Sequence, residues 1–170
     1  MHAFAIDGVD DGLVSSCSAE VSSQVALGYT HACAINDGLT EGSGETICWG
    51  SDSYGESTPP DERHIHIVSG DGFSCGIRFD DTATLGHGPI SCWGRNATNI
   101  VNDVPQGHFF SIAAGKDHAC AIEEGGQVSC WGDDGFEQVS GAPLTETFFQ
   151  LSLASAHSCG LTSEGAVACW

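Results

Sequence analysis

Apolar residues in this chain fall in short alternating runs. From His118 to Cys130 it reads His-Ala-Cys-Ala-Ile-Glu-Glu-Gly-Gly-Gln-Val-Ser-Cys. Apolar side chains alternate with small or polar ones on both arms, which is the two-residue period of a strand. Opposing Cys120 to Cys130 also opposes Ile122 to Val128 and Glu123 to Gln127, leaving Glu124-Gly-Gly126 as the turn. The last segment behaves alike, Cys159 facing Cys169 and Leu161 facing Val167 around Ser163-Glu-Gly165. Three-residue hairpin loops commonly join a type I turn to a left-handed third residue, and both copies put glycine there. The pattern predicts β-hairpins. No helical period is sustained, and 23 glycines in 170 residues argue against long helices. No apolar run is long enough for a membrane-spanning helix.

The hairpin recurs. His31-Ala-Cys33-Ala-Ile35 leads to Cys48-Trp49-Gly50, and Phe73-Ser-Cys75-Gly-Ile77 leads to Cys92-Trp93-Gly94. His118-Ala-Cys120-Ala-Ile122 leads to Cys130-Trp131-Gly132, and His157-Ser-Cys159-Gly-Leu161 to Cys169-Trp170. A decayed fifth copy opens the chain, with His2-Ala-Phe4-Ala-Ile6 and Cys17-Ser-Ala19 in the matching places. Copies at intervals of about 40 residues point to a solenoid, propeller or array. The repeats run approximately 1–20, 21–62, 63–107, 108–145 and 146–170, as one domain over 1–170. Ahead of each hairpin stand Val25-Ala-Leu-Gly28, Ile67-Val-Ser-Gly70, Ile112-Ala-Ala-Gly115 and Leu151-Ser-Leu-Ala-Ser155, the last read with serine in the glycine slot. A small residue there indicates a tight bend or close backbone approach. Prolines fall between hairpins at Pro59, Pro60, Pro105 and Pro143, or in a long turn at Pro89. They mark connections, because proline cannot donate to a ladder.

Cysteines opposed across a hairpin lie within disulfide range when they form a non-hydrogen-bonded pair. The expected bridges are Cys33–Cys48, Cys75–Cys92, Cys120–Cys130 and Cys159–Cys169, leaving Cys17 a free thiol opposite Phe4. The alternative is small cysteines packed in a core. Zinc is disfavoured, because the gaps do not form a Cys-x-x-Cys knuckle. Trp49, Trp93, Trp131 and Trp170 point to the face opposite the cysteines, toward the neighbouring repeat. A histidine column, His2, His31, His118 and His157, suggests a metal because imidazole is a common ligand. Once-per-repeat placement and its replacement by Phe73 favour a structural role.

Phe110-Ser-Ile112-Ala-Ala-Gly115-Lys-Asp-His118-Ala-Cys120-Ala-Ile122, continued by Gln127-Val-Ser-Cys130-Trp131-Gly132, resembles the regulator of chromosome condensation repeat. The cysteine-paired form is similar to the extracytoplasmic branch of that family, which includes bacterial cell-surface proteins and crinkly-type plant receptor ectodomains. The resemblance implies an all-β propeller, usually seven blades of four antiparallel strands around a channel. Only about four to five blades' worth of repeats is present, so a fragment of a longer reading frame is expected. A smaller closed ring and an assembly of partial rings are the alternatives.

Arg63, Arg78, Arg95 and Lys116 stand against 23 acidic residues, a net charge of -19. Phosphate backbones are bound by clustered cations, so nucleic acid is excluded as a partner. Acidic surfaces aid solubility, and hairpin cysteine pairs favour an oxidising compartment. The start, Met1-His-Ala-Phe-Ala-Ile6, shows no signal peptide. Asn96-Ala-Thr98 is a glycosylation sequon, informative in a eukaryotic secretory pathway.

The acidic turns Asp7–Gly12 and Asn36–Glu45 lack the ligand spacing of a calcium loop and read as solvated turns. With the long turn Phe79–Gly88, the Asn36–Glu45 turn is the expected recognition surface. No Gly-x-Ser-x-Gly elbow, recurrent acid pair or sialidase-type Asp box appears, so no catalytic residue, metal or cofactor is assigned. The leading reading is a non-catalytic, extracytoplasmic scaffold binding unidentified proteins. The alternatives are a carbohydrate-binding, wall-associated propeller and the propeller part of a larger enzyme or receptor.

Overall fold

The computed structural model describes residues 22–36, 44–80, 82 and 86–170. Among them every regular element is a strand, and the strands come in threes, one triplet per repeat. The first comprises β1 (Ser22–Leu27), β2 (His31–Asn36) and β3 (Gly44–Gly50). The second comprises β4 (Arg63–Ser69), β5 (Phe73–Arg78) and β6 (Ile90–Gly94). The third is β7 (Phe109–Ala114), β8 (His118–Glu123) and β9 (Val128–Gly132). The fourth is β10 (Phe148–Leu153), β11 (Ser158–Thr162) and β12 (Val167–Cys169). Each triplet is an antiparallel meander, and Gly44↔His64 with Glu45↔Arg63 joins the first two into a six-stranded sheet. The same seam recurs as the Gly88↔Phe109 bridge and as Phe148 N–H on Gly126 O at 2.8 Å.

The hairpin register follows the alternation in the sequence. Cys120 faces Cys130 and Ile122 faces Val128, while Gly126 closes the turn at φ 84° and Gly165 its counterpart at φ 83°. All four opposed cysteine pairs are bonded: Cys33–Cys48, Cys75–Cys92, Cys120–Cys130 and Cys159–Cys169. Their Cα separations of 4.0–4.1 Å are those of the closer, non-hydrogen-bonded type of pair.

Three features depart from the sequence reading or go beyond it. Among the described residues the triplets carry no fourth strand. The segments between them open with side-chain-capped turns and contain Pro59, Pro60, Pro105 and Pro143, which cannot extend a ladder. The glycine slot of the last repeat holds Ala154 rather than Ser155, since a Cβ on Gly115 would meet Ala154 O at 2.4 Å. The aromatic column of the third repeat is Phe109, fully buried, whereas Phe110 is only half-buried. A shift at the same place in every first strand, skipping residues 23, 65, 110 and 149, causes this. Such a bulge re-aims one side chain, turning His64, Phe109 and Phe148 inward. Cys17, Phe4, His2, the Asp7–Gly12 turn and most of Asn36–Glu45 lie outside the described residues.

Apolar packing concentrates between the triplets. Ala26, Cys33, Ile35, Ile67 and Trp93 form one cluster spanning the first and second. A larger one spans the second and third, with Phe73, Ile77, Ile100, Phe109, Ile112 and Trp131 among its members. The first three triplets thus bury apolar side chains against one another, as stacked repeats do.

His64 is the buried exception in its aromatic column. Its Nδ1 lies 2.8 Å from Thr46 Oγ1 and its Nε2 3.0 Å from Ser91 Oγ, with the Trp93 ring at 5.4 Å. Burial pushes its pKa down to about 4, against the raising effect of Glu62 and with a smaller lowering one from Arg78. The folded state thus holds it neutral while the unfolded chain takes up a proton below the usual value of about 6.5. Its contribution is complete above that value and lost as the pH falls toward 4. His64→Phe, which reproduces Phe109 and Phe148, removes this dependence. The loss of unfolding free energy between pH 7 and pH 5, measured by urea titration, is expected to shrink by about 2 kcal/mol. An unchanged loss in the variant would contradict the assignment.

Candidate interaction surface at the axial mouth

The junctions fix the frame on which any surface is displayed. Each connecting segment begins with an Asp or Asn whose Oδ1 accepts a backbone N–H five residues on. Asp52 takes Ser57 N–H, Asn96 takes Val101 N–H and Asp134 takes Val139 N–H, each at 2.9 Å. The N–H groups of Ser140 and Val139 hold the Asp134 carboxyl below the usual carboxylate range. Each turn then needs a left-handed residue, supplied by Gly55 at φ 81°, Asn99 at 57° and Glu137 at 64°. The next residue, Glu56, Ile100 or Gln138, is buried. Its carbonyl accepts the indole N–H of the following repeat: Trp93 to Glu56 at 3.1 Å, Trp131 to Ile100 at 2.9 Å and Trp170 to Gln138 at 3.1 Å. Burial raises the Glu56 pKa, but hydrogen bonds from the Ser51 hydroxyl and the Tyr54 N–H outweigh it, and the net shift is downward.

The histidine column also lies at the junctions. His31 Nε2 meets Ser74 Oγ of the next repeat at 2.7 Å, and His118 Nε2 meets Ser158 Oγ at 2.9 Å. Burial lowers the pKa of both histidines, against the opposing fields of Glu56 and Asp71 at His31 and of Asp133 and Asp117 at His118. His157 is exposed, and Trp49 is half-buried where Trp93 and Trp131 are buried. Among the described residues no group of histidine, cysteine or carboxylate side chains is arranged to hold a metal ion. The described part of the long turn ties Asp80 to Thr82 and to His108 Nε2 at 3.0 Å.

The turns joining the first two strands of each triplet converge on one cavity of about 640 Å³. Close backbone approach makes this possible: a Cβ on Gly28 would meet Gly70 O at 2.8 Å, and one on Gly70 would meet Gly115 O at 2.7 Å. Tyr29 N–H reaches Gly70 O at 3.2 Å and Asp71 N–H reaches Lys116 O at 2.9 Å, so the turns are linked around the mouth. On this shared backbone the position after the slot carries Tyr29, Asp71, Lys116 and Ser155 in turn. Tyr29 is 84% exposed and the adjoining Leu27 74%.

Charge is balanced here although the chain is strongly acidic. Arg95 pairs with Asp117 and lies 3.4 Å from Asp71, and Lys116 lies 3.8 Å from Asp117. Two of the four cations thus offset two carboxylates beside exposed apolar side chains. Sequence reasoning missed this mouth, His64 and the Glu56/Ile100/Gln138 column. Aligning the residues after each Trp-Gly would have revealed the last of these, through Asp52, Asn96 and Asp134.

Residues 111–138 match the model of the regulator of chromosome condensation repeat. The matched segment runs from β7 through β9 into the turn that follows, within the third of the four described copies. The four described copies share their strand register, their bulge and, at three junctions, the indole bond. The serine/threonine-protein kinase-like protein CCR2 of Arabidopsis thaliana is 29% identical over 124 residues, 62% of this chain and 15% of that protein. The CRINKLY WD40 ectodomain of the Arabidopsis thaliana receptor kinase ACR4 superposes with a TM-score of 0.69 at 22% identity, covering 89% of this chain and 50% of that one. The ectodomain of the Physcomitrella patens receptor kinase CR4 gives 0.69 at 25% identity, covering 84% and 39%. The fold is an antiparallel β-propeller of hairpin repeats, and the chain spans half or less of these relatives' lengths.

Proposed function

We propose that this chain is an extracytoplasmic scaffold that binds protein partners at the axial mouth. The observation that carries this reading is the fixed turn backbone presenting a different side chain from each blade beside exposed Leu27 and Tyr29. Rigid frames with variable tips are where recognition concentrates, and exposed aromatic residues at balanced charge suit a protein interface. Four disulfides support an oxidising setting. A second reading, the ligand-binding part of a receptor-like chain, is favoured by the likeness to receptor kinase ectodomains.

The test exposes the immobilised chain and its Tyr29→Ala/Lys116→Glu variant to the extracellular protein fraction of the source, alongside a glycan array. A discrete protein held about tenfold more weakly by the variant is expected, a difference of ~1.4 kcal/mol, with no glycan bound. Equal capture by both forms, or glycan binding in its place, would overturn the proposal.

A further inference from the structure

We propose that Asn96 carries an N-linked glycan. Its column performs one structural task, capping the turn that follows Trp-Gly, and aspartate performs it in the neighbouring repeats. Asp52 uses Oδ1 for Ser57 N–H at 2.9 Å and Oδ2 for Thr58 Oγ1 at 2.8 Å. Asp134 Oδ1 takes two backbone N–H groups, of Val139 and Ser140, both at 2.9 Å. Asn96 caps Val101 N–H through Oδ1 at 2.9 Å, and its Nδ2 makes no hydrogen bond among the described residues. The cap therefore accounts for an oxygen at this position and leaves the amide nitrogen unexplained.

That nitrogen is the atom a glycan needs. Asn96 is exposed, and Asn96-Ala97-Thr98 is the one acceptor sequence among the chain's asparagines, Asn36, Asn96, Asn99 and Asn102. The same cap in the other two connecting segments is followed by Ser53-Tyr54 and Gly135-Phe136, so hydroxyl spacing and amide coincide only in this repeat. In the transfer a bond forms between Nδ2 and the anomeric carbon of an oligosaccharide carried on a lipid pyrophosphate. The carbon–oxygen bond to the pyrophosphate breaks, the leaving group takes the electron pair, and Nδ2 gives up one proton to the transferase. Oδ1 remains an acceptor afterwards, so glycosylation and capping are compatible. Arg95, next in the chain, donates from Nε to Asp71 O at 3.0 Å. The residue preceding the acceptor asparagine thus contacts the backbone of a residue that lines the mouth.

The inference rests on the extracytoplasmic reading, and the experiment separates the two. The chain is purified from its source with thiols blocked, then treated with a peptide:N-glycanase in heavy-oxygen water and digested. Asn96 is expected as isotope-labelled aspartate, in a digest where Cys120 and Cys130 remain bridged. Thr98→Ala, which keeps the cap, should abolish the label and the gel-mobility shift. Asn96→Asp should abolish the shift and migrate with the deglycosylated wild type, which then carries aspartate at the same position. Unlabelled Asn96 beside an intact bridge overturns the glycan alone. Unlabelled Asn96 beside alkylated cysteines overturns both the glycan and the compartment, and a label that survives in Thr98→Ala overturns the acceptor sequence.

Discussion

Trp131→Ala is expected to lower the unfolding free energy by about 4 kcal/mol, the upper range for removing a large buried aromatic side chain. The indole is only 4% exposed and packs in the cluster between the second and third blades. Its N–H also satisfies the buried Ile100 carbonyl at 2.9 Å. Truncation therefore opens a cavity and orphans an acceptor at the same junction, two costs that add. Trp131→Phe separates them: most of the volume stays, the bond is lost, and a cost of about 1–2 kcal/mol is expected. Trp49, half-buried in the first blade, supplies the internal comparison, and its alanine variant should cost less than half as much. Urea titration with the disulfides intact measures all three. Equal losses at Trp49 and Trp131 would show that the indole acts within its own hairpin and not at the junction.

The strands were legible because their information is local. Alternation set the faces of β8 and β9, and the Gly125-Gly126 and Glu164-Gly165 turns set the register, so the cysteine opposition followed by counting. Charge was legible as a sum and misleading as a map: the acidic total hides a mouth where Arg95 and Lys116 balance Asp71 and Asp117. The bulge was not legible. It moves the inward position from Phe110 to Phe109 by one residue, and nothing in a Phe-Phe pair says which will turn. The same shift hid His64, which reads as one of several surface histidines until the ladder turns it inward. The mouth was hidden for another reason. Tyr29, Asp71, Lys116 and Ser155 share no chemistry, and only the approach of Gly28, Gly70 and Gly115 to the next turn's backbone brings them together.

Phe73→His should cost about 4 kcal/mol at neutral pH, and Ala119→Ser in the same chain should restore about half of it. The reason is a correspondence across the described junctions. Where the column holds His31 or His118, the next blade offers Ser74 or Ser158. Where it holds Phe73, the next blade offers Ala119, and the two share one apolar cluster. A histidine at 73, a site 1% exposed, would lose about 2 kcal/mol of apolar burial. It would also leave a buried imidazole unpaired, at a cost of about 1–3 kcal/mol. The serine gives its Nε2 a partner and recovers the second cost, not the first. The reverse exchange follows from the same geometry. Ser158→Ala leaves His118 without a bond at either nitrogen, since Nδ1 is already buried without a partner. His118→Phe/Ser158→Ala rebuilds the apolar junction and should be more stable than Ser158→Ala alone. Thermodynamic cycles on both pairs measure the coupling, which should exceed about 1 kcal/mol in each. Simple additivity at both junctions would mean that the histidine and serine columns vary independently, and that neighbouring blades do not recognise each other through them.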